Sequence, residues 1–259
     1  MEVNLLERSR AEAYEFLSIA LEMGEALLVC GAEVNRVEDT ISRMGIAYGA
    51  LEMNVFVITT SIVVTMELSD GNSITLTRRI NSPGSTDFRR LARINNVSRH
   101  FCKDPMPLDI LRSEYENANR PTTKPIRMYI GSALAAGAFA VFFGGNVWDG
   151  LIAALFGVLI CFFQRELQPL SPNTIVYNIT SSFVVGLGIC LLARFIPVLN
   201  MDKIMIGDIM LLIPGVAMTN AIRDILVGDT MSGTMRVIES VMWAGAIAAG
   251  FIMAFWIVW

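Results

Sequence analysis

Five long apolar stretches occupy the second half of the chain, and they constrain its fold more than any other feature. They cover 128–145, 148–164, 174–196, 204–222 and 237–259. A helix that crosses a bilayer needs about 20 mainly apolar residues. The second stretch is shorter than that, and Pro214-Gly215 interrupts the fourth. The pattern predicts a membrane protein with a bundle of five transmembrane helices, the fourth broken. The fourth helix either crosses the membrane fully or forms a re-entrant segment.

The charged residues are concentrated in the first half of the chain. Residues 1–125 contain 14 Lys/Arg and 17 Asp/Glu, whereas residues 126–259 contain 6 and 7. Charged residues make up 17% of the whole chain, against about 25% in an average soluble domain. This division excludes a single uniform soluble domain, a disordered chain and a fibrous repeat. It predicts a soluble domain over 1–120, a linker over 121–127 and a transmembrane domain over 128–259.

The first 120 residues have the pattern of a small α+β domain. Apolar residues at helical spacing predict helices over about 5–29, 34–48, 88–101 and 108–117, and Ser85, Thr86 or Asp87 can cap the third. The β-branched run at 55–68 predicts one long strand or two short ones, and Asp70-Gly71 predicts a hairpin turn into a return strand over 73–79. The predicted order is ααββαα. The charged start does not resemble a secretory signal peptide, so we expect a cytoplasmic domain.

No pattern typical of catalysis or of cofactor binding is present in the sequence. His100 is the only histidine, the four cysteines are far apart, and there is no nucleophile elbow, paired-histidine metal motif or phosphate loop. The net charge of −4 gives no broad basic surface for nucleic acid. We therefore expect that the chain is not an enzyme, has no cofactor and no metal ion, and does not bind nucleic acid.

Basic residues near the predicted helix ends indicate the orientation in the membrane. With the N-terminal domain inside, six basic residues are cytoplasmic, and Arg194 and Lys203 are outside. We expect a multi-pass protein of the cell inner (plasma) membrane whose C-terminus lies outside. Small residues at four-residue spacing, such as Gly131 with Ala135 and Gly245 with Ala249, fit close helix packing inside one subunit or in a homo-oligomer.

The candidate functional segment surrounds the broken helix. The residues of interest are Asp208, Pro214, Gly215, Asn220, Arg223, Asp224 and Asp229, together with Asn178 on the third predicted membrane helix. An ionisable group in the middle of a membrane costs roughly 2.5–3.5 kcal/mol, so such groups usually pair or face water. We expect a pathway for substrate and ion, in which Arg223 and the freed backbone hold a carboxylate and Asp208 or Asp224 carries a proton.

Two other interpretations of these residues remain open. Arg223, Asp224 and Asp229 could form a cytoplasmic cap with internal ion pairs. Asn178 lies in a polar stripe with Thr180, Ser181 and Ser182, which could provide hydrogen bonds between helices instead of the wall of a pathway.

Two separated motifs resemble the threonine/serine exporter family of membrane proteins. The first is Gly-Ala-Glu-x-x-Arg-x-Glu at 31–38. The second runs from Pro214-Gly215 through Asn220-x-x-Arg223-Asp224 and Gly228-Asp229 to Ser232-Gly233 and Arg236, with the predicted hairpin between the two motifs. The resemblance covers nearly the whole chain. It implies a cytoplasmic N-terminal domain, sometimes described as hydrolase-like, that precedes about ten membrane helices, which some members divide between two chains.

With five predicted membrane helices, the chain is similar to the large subunit of the split form, as in the succinate exporter. The resemblance implies a small membrane partner subunit of about four to five helices, and export of threonine/serine or succinate-like dicarboxylates. The sequence thus predicts an exporter subunit for small polar metabolites, driven by an ion gradient because no ATP site is visible. The alternatives are a membrane-anchored hydrolase-like enzyme and a sensor domain.

Overall fold

The structure is a computed structural model that describes residues 2–80, 86–120, 125–171 and 173–259, with side chains described from residue 10 onward. The chain forms two compact units. The first unit contains Met1–Thr122 and Val216–Val237, and the second contains Thr123–Gly215 and Ile238–Trp259. The segment 216–237 therefore packs with the N-terminal domain, although it is distant from that domain in sequence. Ser85 and the part of the predicted linker at 121–124 lie outside the described residues.

The helices of the first unit follow the predicted apolar periodicity. They are α1 (Glu2–Val29), α2 (Val34–Tyr48), α3 (Phe88–Lys103) and α4 (Leu108–Asn119). The predicted face of α1 is buried from Ala13 to Leu28. The predicted cap of α3 is also present, because the Asp87 carboxylate accepts a hydrogen bond from the backbone N–H of Arg90 at 3.0 Å.

Three strands form one antiparallel sheet in the order β1-β2-β3. They are β1 (Glu52–Ile58), β2 (Ser61–Glu67) and β3 (Ser73–Arg79). The run at 55–68 is thus two strands joined at Thr59-Thr60, which pairs Ile58 with Ser61. The predicted order ααββαα is wrong by one strand, since the observed order is ααβββαα. The second hairpin turns at Gly71, whose φ of 79° is unfavourable for other residues.

The core of the first unit lies between α1 and the inner face of the sheet. Ile62, Val64 and Met66 alternate along β2 and are all fully buried, as expected for a strand with one covered face. They belong to one cluster with Phe16 and Met23 of α1. Helices α2, α3 and α4 contribute further buried residues to the same cluster, such as Ile41, Ile94 and Leu111.

The second unit consists of apolar helices. They are α5 (Pro125–Phe142), α6 (Val147–Phe162), α7 (Thr174–Phe195), α8 (Met201–Leu212) and the second part of α10 (Thr230–Val258). A π-helical turn at Phe163–Leu167 and a short 3-10 turn at Gln168–Leu170 extend α6. The second apolar stretch is therefore longer than its sequence suggested.

Four helical segments in the described part of the chain are long and apolar enough to cross a membrane. They are Pro125–Phe142, Val147–Leu170, Thr174–Phe195 and Thr230–Val258. The pair formed by α8 and α9 (Gly215–Val227) passes the same test when the two are counted together, which gives up to five. The chain is thus mostly helical, with several apolar helices compatible with a membrane protein and a small sheet in its N-terminal region.

Small residues allow the helices of the second unit to approach each other closely. A Cβ added to Gly207 of α8 would lie 2.6 Å from the carbonyl oxygen of Ala136 on α5. A Cβ on Gly250 of α10 would lie 2.5 Å from the carbonyl oxygen of Ile179 on α7. Larger residues at these two positions would separate the helices, because a real Cβ does not come this close to a carbonyl oxygen.

Asp149 holds two turns of the second unit together. Its carboxylate is fully buried and accepts hydrogen bonds from the backbone N–H of Asn146 (2.8 Å) and from the backbone and side-chain N–H groups of Asn200 (2.7 and 2.8 Å). Asn146 in turn caps α6 through the backbone N–H of Asp149 at 2.9 Å. This reciprocal pair is a capping box, and Asn200 joins it to the start of α8.

We expect Asp149→Ala to destabilise the second unit. The substitution removes three hydrogen bonds to a buried charged group and leaves backbone N–H donors without acceptors, which costs on the order of 3 kcal/mol. Thermal unfolding of the purified protein in detergent measures the loss. Asp202→Ala is the matched control, because Asp202 is exposed and pairs with Lys203 on the surface. Equal melting temperatures for the two variants would contradict this role of Asp149.

Candidate functional site

The predicted break in the fourth apolar stretch is present between α8 and α9. Helix α8 ends at Leu212, and Ile213 has the extended conformation (ψ 128°) that a residue before proline prefers. Pro214 has no backbone N–H, and α9 begins at Gly215. The prediction of an interruption at Pro214-Gly215 is therefore confirmed.

Helix α9 and the first turns of α10 form a tight hairpin, which we call the α9–α10 hairpin (residues 216–237). Gly228, with a φ of 113°, ends α9. A Cβ on Gly233 would lie 2.7 Å from the carbonyl oxygen of Ala221 and 2.5 Å from the side chain of Ile225, so the two helices are in close contact there. Two glycines of the second motif, Gly228 and Gly233, thus make the turn and the close packing possible.

Polar residues of the α9–α10 hairpin bind the α1–α2 loop (residues 30–33). The Asn220 side-chain amide donates a hydrogen bond to the Gly31 carbonyl at 2.9 Å, and the Arg236 guanidinium donates one to the Ala32 carbonyl at 3.4 Å. Arg223 forms an ion pair with Glu33 at 2.8 Å. The two sequence motifs, almost 190 residues apart, therefore contact each other.

Asp224 occupies the N-terminus of α2. Its carboxylate is buried, with a side chain only 1% exposed, and it lies close enough to the backbone N–H of Val34, the first residue of α2, to interact with it electrostatically. The N-cap residue Glu33 makes no capping bond with its own side chain. Asp224 supplies the negative group that a helix N-terminus favours. Arg236 lies 3.2 Å from the same carboxylate and compensates its charge.

A second contact joins the hairpin to the edge of the sheet. β1 is an edge strand, so one row of its backbone groups has no partner within the sheet. Val57 on this strand donates its N–H to the Glu38 carboxylate at 2.9 Å and accepts a hydrogen bond from Ser232 Oγ at 3.4 Å. Burial raises the pKa of Glu38, the Val57 N–H opposes this, and the nearby Asp229 carboxylate adds to the rise.

In the second unit, Asp208 is a buried carboxylate of a different kind. It lies on α8 and is fully buried, and neither of its oxygens has a hydrogen-bond partner among the described residues. Helix α8 packs against α5, α6 and α7, with Ile204 one turn earlier in the apolar core. A charged group in such surroundings is costly, and an ionisable residue inside a membrane is a functional candidate by default.

Asn178 is also buried in the second unit, on α7, with Ser181 and Ser182. Ser181 Oγ donates a hydrogen bond to the Asn178 carbonyl at 3.3 Å, and Ser182 Oγ has no partner among the described residues. Asn178, Ser181 and Ser182 of the predicted polar stripe thus face protein, whereas Thr180 is exposed. Of the predicted site residues, the structure places Asn220, Arg223, Asp224 and Asp229 in the first unit and Asp208, Pro214, Gly215 and Asn178 in the second.

The sequence model of the family described as "Putative threonine/serine exporter" matches residues 18–258. This chain belongs to the threonine/serine exporter family. The match contains both motifs that the structure brings into contact. The resemblance stated from the motifs is therefore confirmed.

Two curated relatives of this exporter-family chain are distant in sequence. The "Threonine/serine exporter" of Corynebacterium glutamicum is 20% identical over 242 residues, which cover 90% of this chain and 49% of the relative. The "Probable succinate transporter subunit YjjP" of Klebsiella aerogenes is 22% identical over 254 residues, which cover 96% of both chains. The chain thus spans about half the length of the first relative. Both names describe transporters, which agrees with the expectation that the chain is not an enzyme. No solved structure matches the chain.

Two residues of the ion pairs between the α9–α10 hairpin and its surroundings, Glu33 and Arg236, were not among the predicted site residues. The sequence did mark them, since Glu33 belongs to the motif at 31–38 and Arg236 to the motif at 214–236. Local spacing did not show that Glu33 pairs with Arg223 and that Arg236 pairs with Asp224. Asp149 also had a local signal in the Asn-x-x-Asp pattern of a capping box at 146–149.

We expect the two ion pairs of the hairpin to differ in strength. The Arg223 side chain is 62% exposed, and an exposed pair contributes less than about 1 kcal/mol. The Asp224–Arg236 pair is buried, and its coupling energy should be about 1–3 kcal/mol. Double-mutant cycles with alanine, measured by denaturant unfolding of the solubilised protein, give both values. Equal coupling energies would show that burial does not distinguish the pairs.

Glu38→Gln should stabilise the exporter-family chain near neutral pH. The glutamine oxygen can still accept the Val57 N–H, while the half-buried charge and its repulsion with Asp229 are removed. Because folding raises the pKa of Glu38, the ionised carboxylate weakens the native state as the pH rises through the raised pKa. The advantage of the variant should therefore disappear at pH values below the ordinary pKa of glutamate. Melting temperatures across this range test the sign, and Glu52→Gln on the same unit is the control.

Proposed function

We propose that this chain is one subunit of a secondary exporter of small polar metabolites that carry a carboxylate. Membership of the exporter family supports the general role. The relatives are named for threonine/serine and for succinate, and the chemistry common to these solutes is a carboxylate on a small polar molecule. The single observation that carries the mechanism is the buried, unpartnered carboxylate of Asp208 on α8.

We assign the coupling ion to Asp208. A carboxylate without partners in an apolar core is far less costly when it binds a proton or a cation than when it is ionised and empty. If the Asp208 carboxylate is stable in the apolar core only with a bound proton or cation, it can change its exposure from one side of the membrane to the other only together with that ion. Asp224 is less suited to this role, since Arg236 and the Val34 N–H already compensate its charge.

The interruption at Pro214-Gly215 is the proposed contact for the solute. The N-terminal end of a half-helix attracts a carboxylate. Gly215 begins α9, and a Cβ at this position would meet no atom within 4 Å. Asn178, on α7, is the proposed polar wall of the same pathway.

The α9–α10 hairpin connects this pathway to the N-terminal domain. Asn220, Arg223, Asp224 and Asp229 were predicted as pathway residues. We propose that Asn220 and Arg223 act first through the α1–α2 loop, and Asp224 through the start of α2. A movement of the N-terminal domain would then be transmitted to α9 and to the interruption before it. The domain would regulate export without forming part of the solute site.

We further propose a small membrane partner subunit of about four to five helices. The chain covers about half of one relative, and nearly all of another whose name contains the word subunit. A second chain would supply the remaining membrane helices. In the proposed arrangement, residues 1–120 are cytoplasmic, 121–127 link them to the transmembrane domain at 128–259, and the C-terminus lies outside the inner membrane. Within 128–259, the α9–α10 hairpin packs with the N-terminal domain. A homo-oligomer of this chain is compatible with the same assignment.

The experiment is export of radiolabelled succinate, threonine or serine from loaded proteoliposomes, with an imposed proton or sodium gradient. The chain is tested with and without a membrane chain that copurifies with it. We expect gradient-driven export of at least one solute, and its loss in Asp208→Asn while the protein still inserts. Asp202→Asn, the same change at an exposed position on α8, should export normally.

Each outcome of this experiment has a definite meaning. Full gradient-driven export by Asp208→Asn would place the coupling ion elsewhere. Absence of export for every carboxylate solute, in preparations that contain the copurifying chain, would contradict the proposed function. Export by this chain alone would contradict the proposed partner while leaving the exporter assignment intact.

A further inference from the structure

Helix α3 is strongly basic, although the chain as a whole is acidic. It contains Arg89, Arg90, Arg93, Arg99, His100 and Lys103, and no Asp or Glu. Arg90 and Arg93 are used inside the unit, where Arg90 hydrogen-bonds to the Asn119 side chain and Arg93 to the Asn117 and Arg120 carbonyls at the end of α4. Arg99 and Lys103 lie one turn apart at the other end of the helix and do not contribute to this contact.

Arg99 and Lys103 line a cleft between α2 and α3, which we call the basic cleft. Its volume is about 270 Å³, and its lining residues are Arg36, Asp39, Thr40, Arg43, Asn95, Ser98, Arg99, Cys102 and Lys103. Four of these are cationic and one is acidic. The opposite walls therefore present the same sign of charge to the space between them.

Most of the charge in the basic cleft has no partner in the protein. Arg43 pairs with Asp39 at 2.8 Å. Arg36, Arg99 and Lys103 form no ion pair with any acidic side chain that the structure describes. The Thr40 and Ser98 hydroxyls bond to carbonyls of their own helices and leave the charged groups unoccupied.

Arg99 and Lys103 are like charges one turn apart on the same helix, and such charges repel each other and destabilise the native state slightly. Residues 1–125 contain more acidic than basic side chains, so pairs with carboxylates were available in this domain. Cations that converge on a concave space without such pairs create a local positive potential that attracts anions. Arginine and lysine together also provide the donors that phosphate and carboxylate groups require.

We propose that the basic cleft binds a small multivalent anion that carries phosphate or carboxylate groups. Its volume is below that of a pocket for a drug-sized molecule, which fits a small metabolite or a single charged headgroup. The anion is either a free solute or the headgroup of an anionic lipid. Arg36 also lies three residues from Glu33, which contacts Arg223, so a bound anion is close in sequence to the α1–α2 loop. This site is independent of the proposed export pathway, because none of its cations is assigned there.

Cys102 provides a reporter inside the basic cleft. It is partly exposed, whereas Cys30, Cys161 and Cys190 are buried. The experiment measures the rate at which N-ethylmaleimide alkylates Cys102 in the full-length protein, by mass spectrometry, at constant ionic strength. Inorganic phosphate and succinate are added to protein in detergent. In a second arm without these anions, nanodiscs of phosphatidylcholine alone are compared with nanodiscs that also contain phosphatidylglycerol.

We expect an anion to slow alkylation of Cys102 in the wild-type protein, with a saturable dependence on its concentration. Arg99→Gln/Lys103→Gln should weaken this protection by at least about tenfold, the effect expected when strong charge-assisted contacts are lost. Arg89→Gln on the same helix removes an exposed cation outside the basic cleft and should leave the protection unchanged. The ratio of rates with and without anion is compared within each variant, so a changed intrinsic reactivity of Cys102 cancels.

The possible results separate the sources of the anion and can refute the site. Protection by phosphate or succinate identifies a free solute, and protection only in nanodiscs with phosphatidylglycerol identifies a lipid headgroup. No protection by any of these probes, or equal protection in the double variant, overturns the proposal. If the double variant does not fold, Arg36→Gln on the opposite wall replaces it, and unchanged protection in that variant also overturns the proposal.

Discussion

The placement of Asp224 at the N-terminus of α2 is the interaction on which the arrangement of the first unit depends. The first N–H groups of a helix need acceptors, and Glu33 at the N-cap position makes no capping bond with its side chain. Asp224, from another helix, places its negative charge beside these N–H groups, and the buried position of that charge requires Arg236. Removing either partner leaves a buried charge uncompensated. For this reason the segment 216–237 belongs to the same compact unit as the N-terminal domain.

This contact also explains why the few charges of the second half of the chain lie close together in sequence. Arg223 and Arg236 are paired with Glu33 and Asp224, so these cations hold the α9–α10 hairpin on the N-terminal domain. Asp208 differs because no described residue hydrogen-bonds to its carboxylate. The charges near the interruption thus have two physical roles. Arg223 and Arg236 compensate the charges of Glu33 and Asp224, whereas Asp208 is left without compensation in an apolar core.

Local patterns in the sequence predicted the helices, the apolar stretches and the interruption at Pro214-Gly215, because periodicity and proline geometry act over a few residues. The division of 55–68 into two strands was one of two open interpretations, since Thr59-Thr60 is not a strong turn signal. The contact between Asn220 and Gly31 could not be derived in this way. It joins residues 189 positions apart, and no local propensity specifies which distant surface a polar side chain will meet. The family resemblance marked both motifs as important but did not show that they touch.

The contacts also restrict where this chain can change conformation. Two side chains of α9, Asn220 and Arg223, are bonded to the α1–α2 loop, and the Asp224 carboxylate lies at the start of α2. A displacement of the N-terminal domain must therefore either break these bonds or carry α9 with it. The helix before α9 ends at Leu212, where Pro214 removes a backbone donor, so the chain between α8 and α9 lacks the continuous hydrogen bonds that stiffen a helix. Helices commonly bend at a proline of this kind, whereas separating the buried Asp224–Arg236 pair leaves a buried charge uncompensated. The interruption beside the α8 helix that carries Asp208 is thus the position at which movement of the domain would be absorbed.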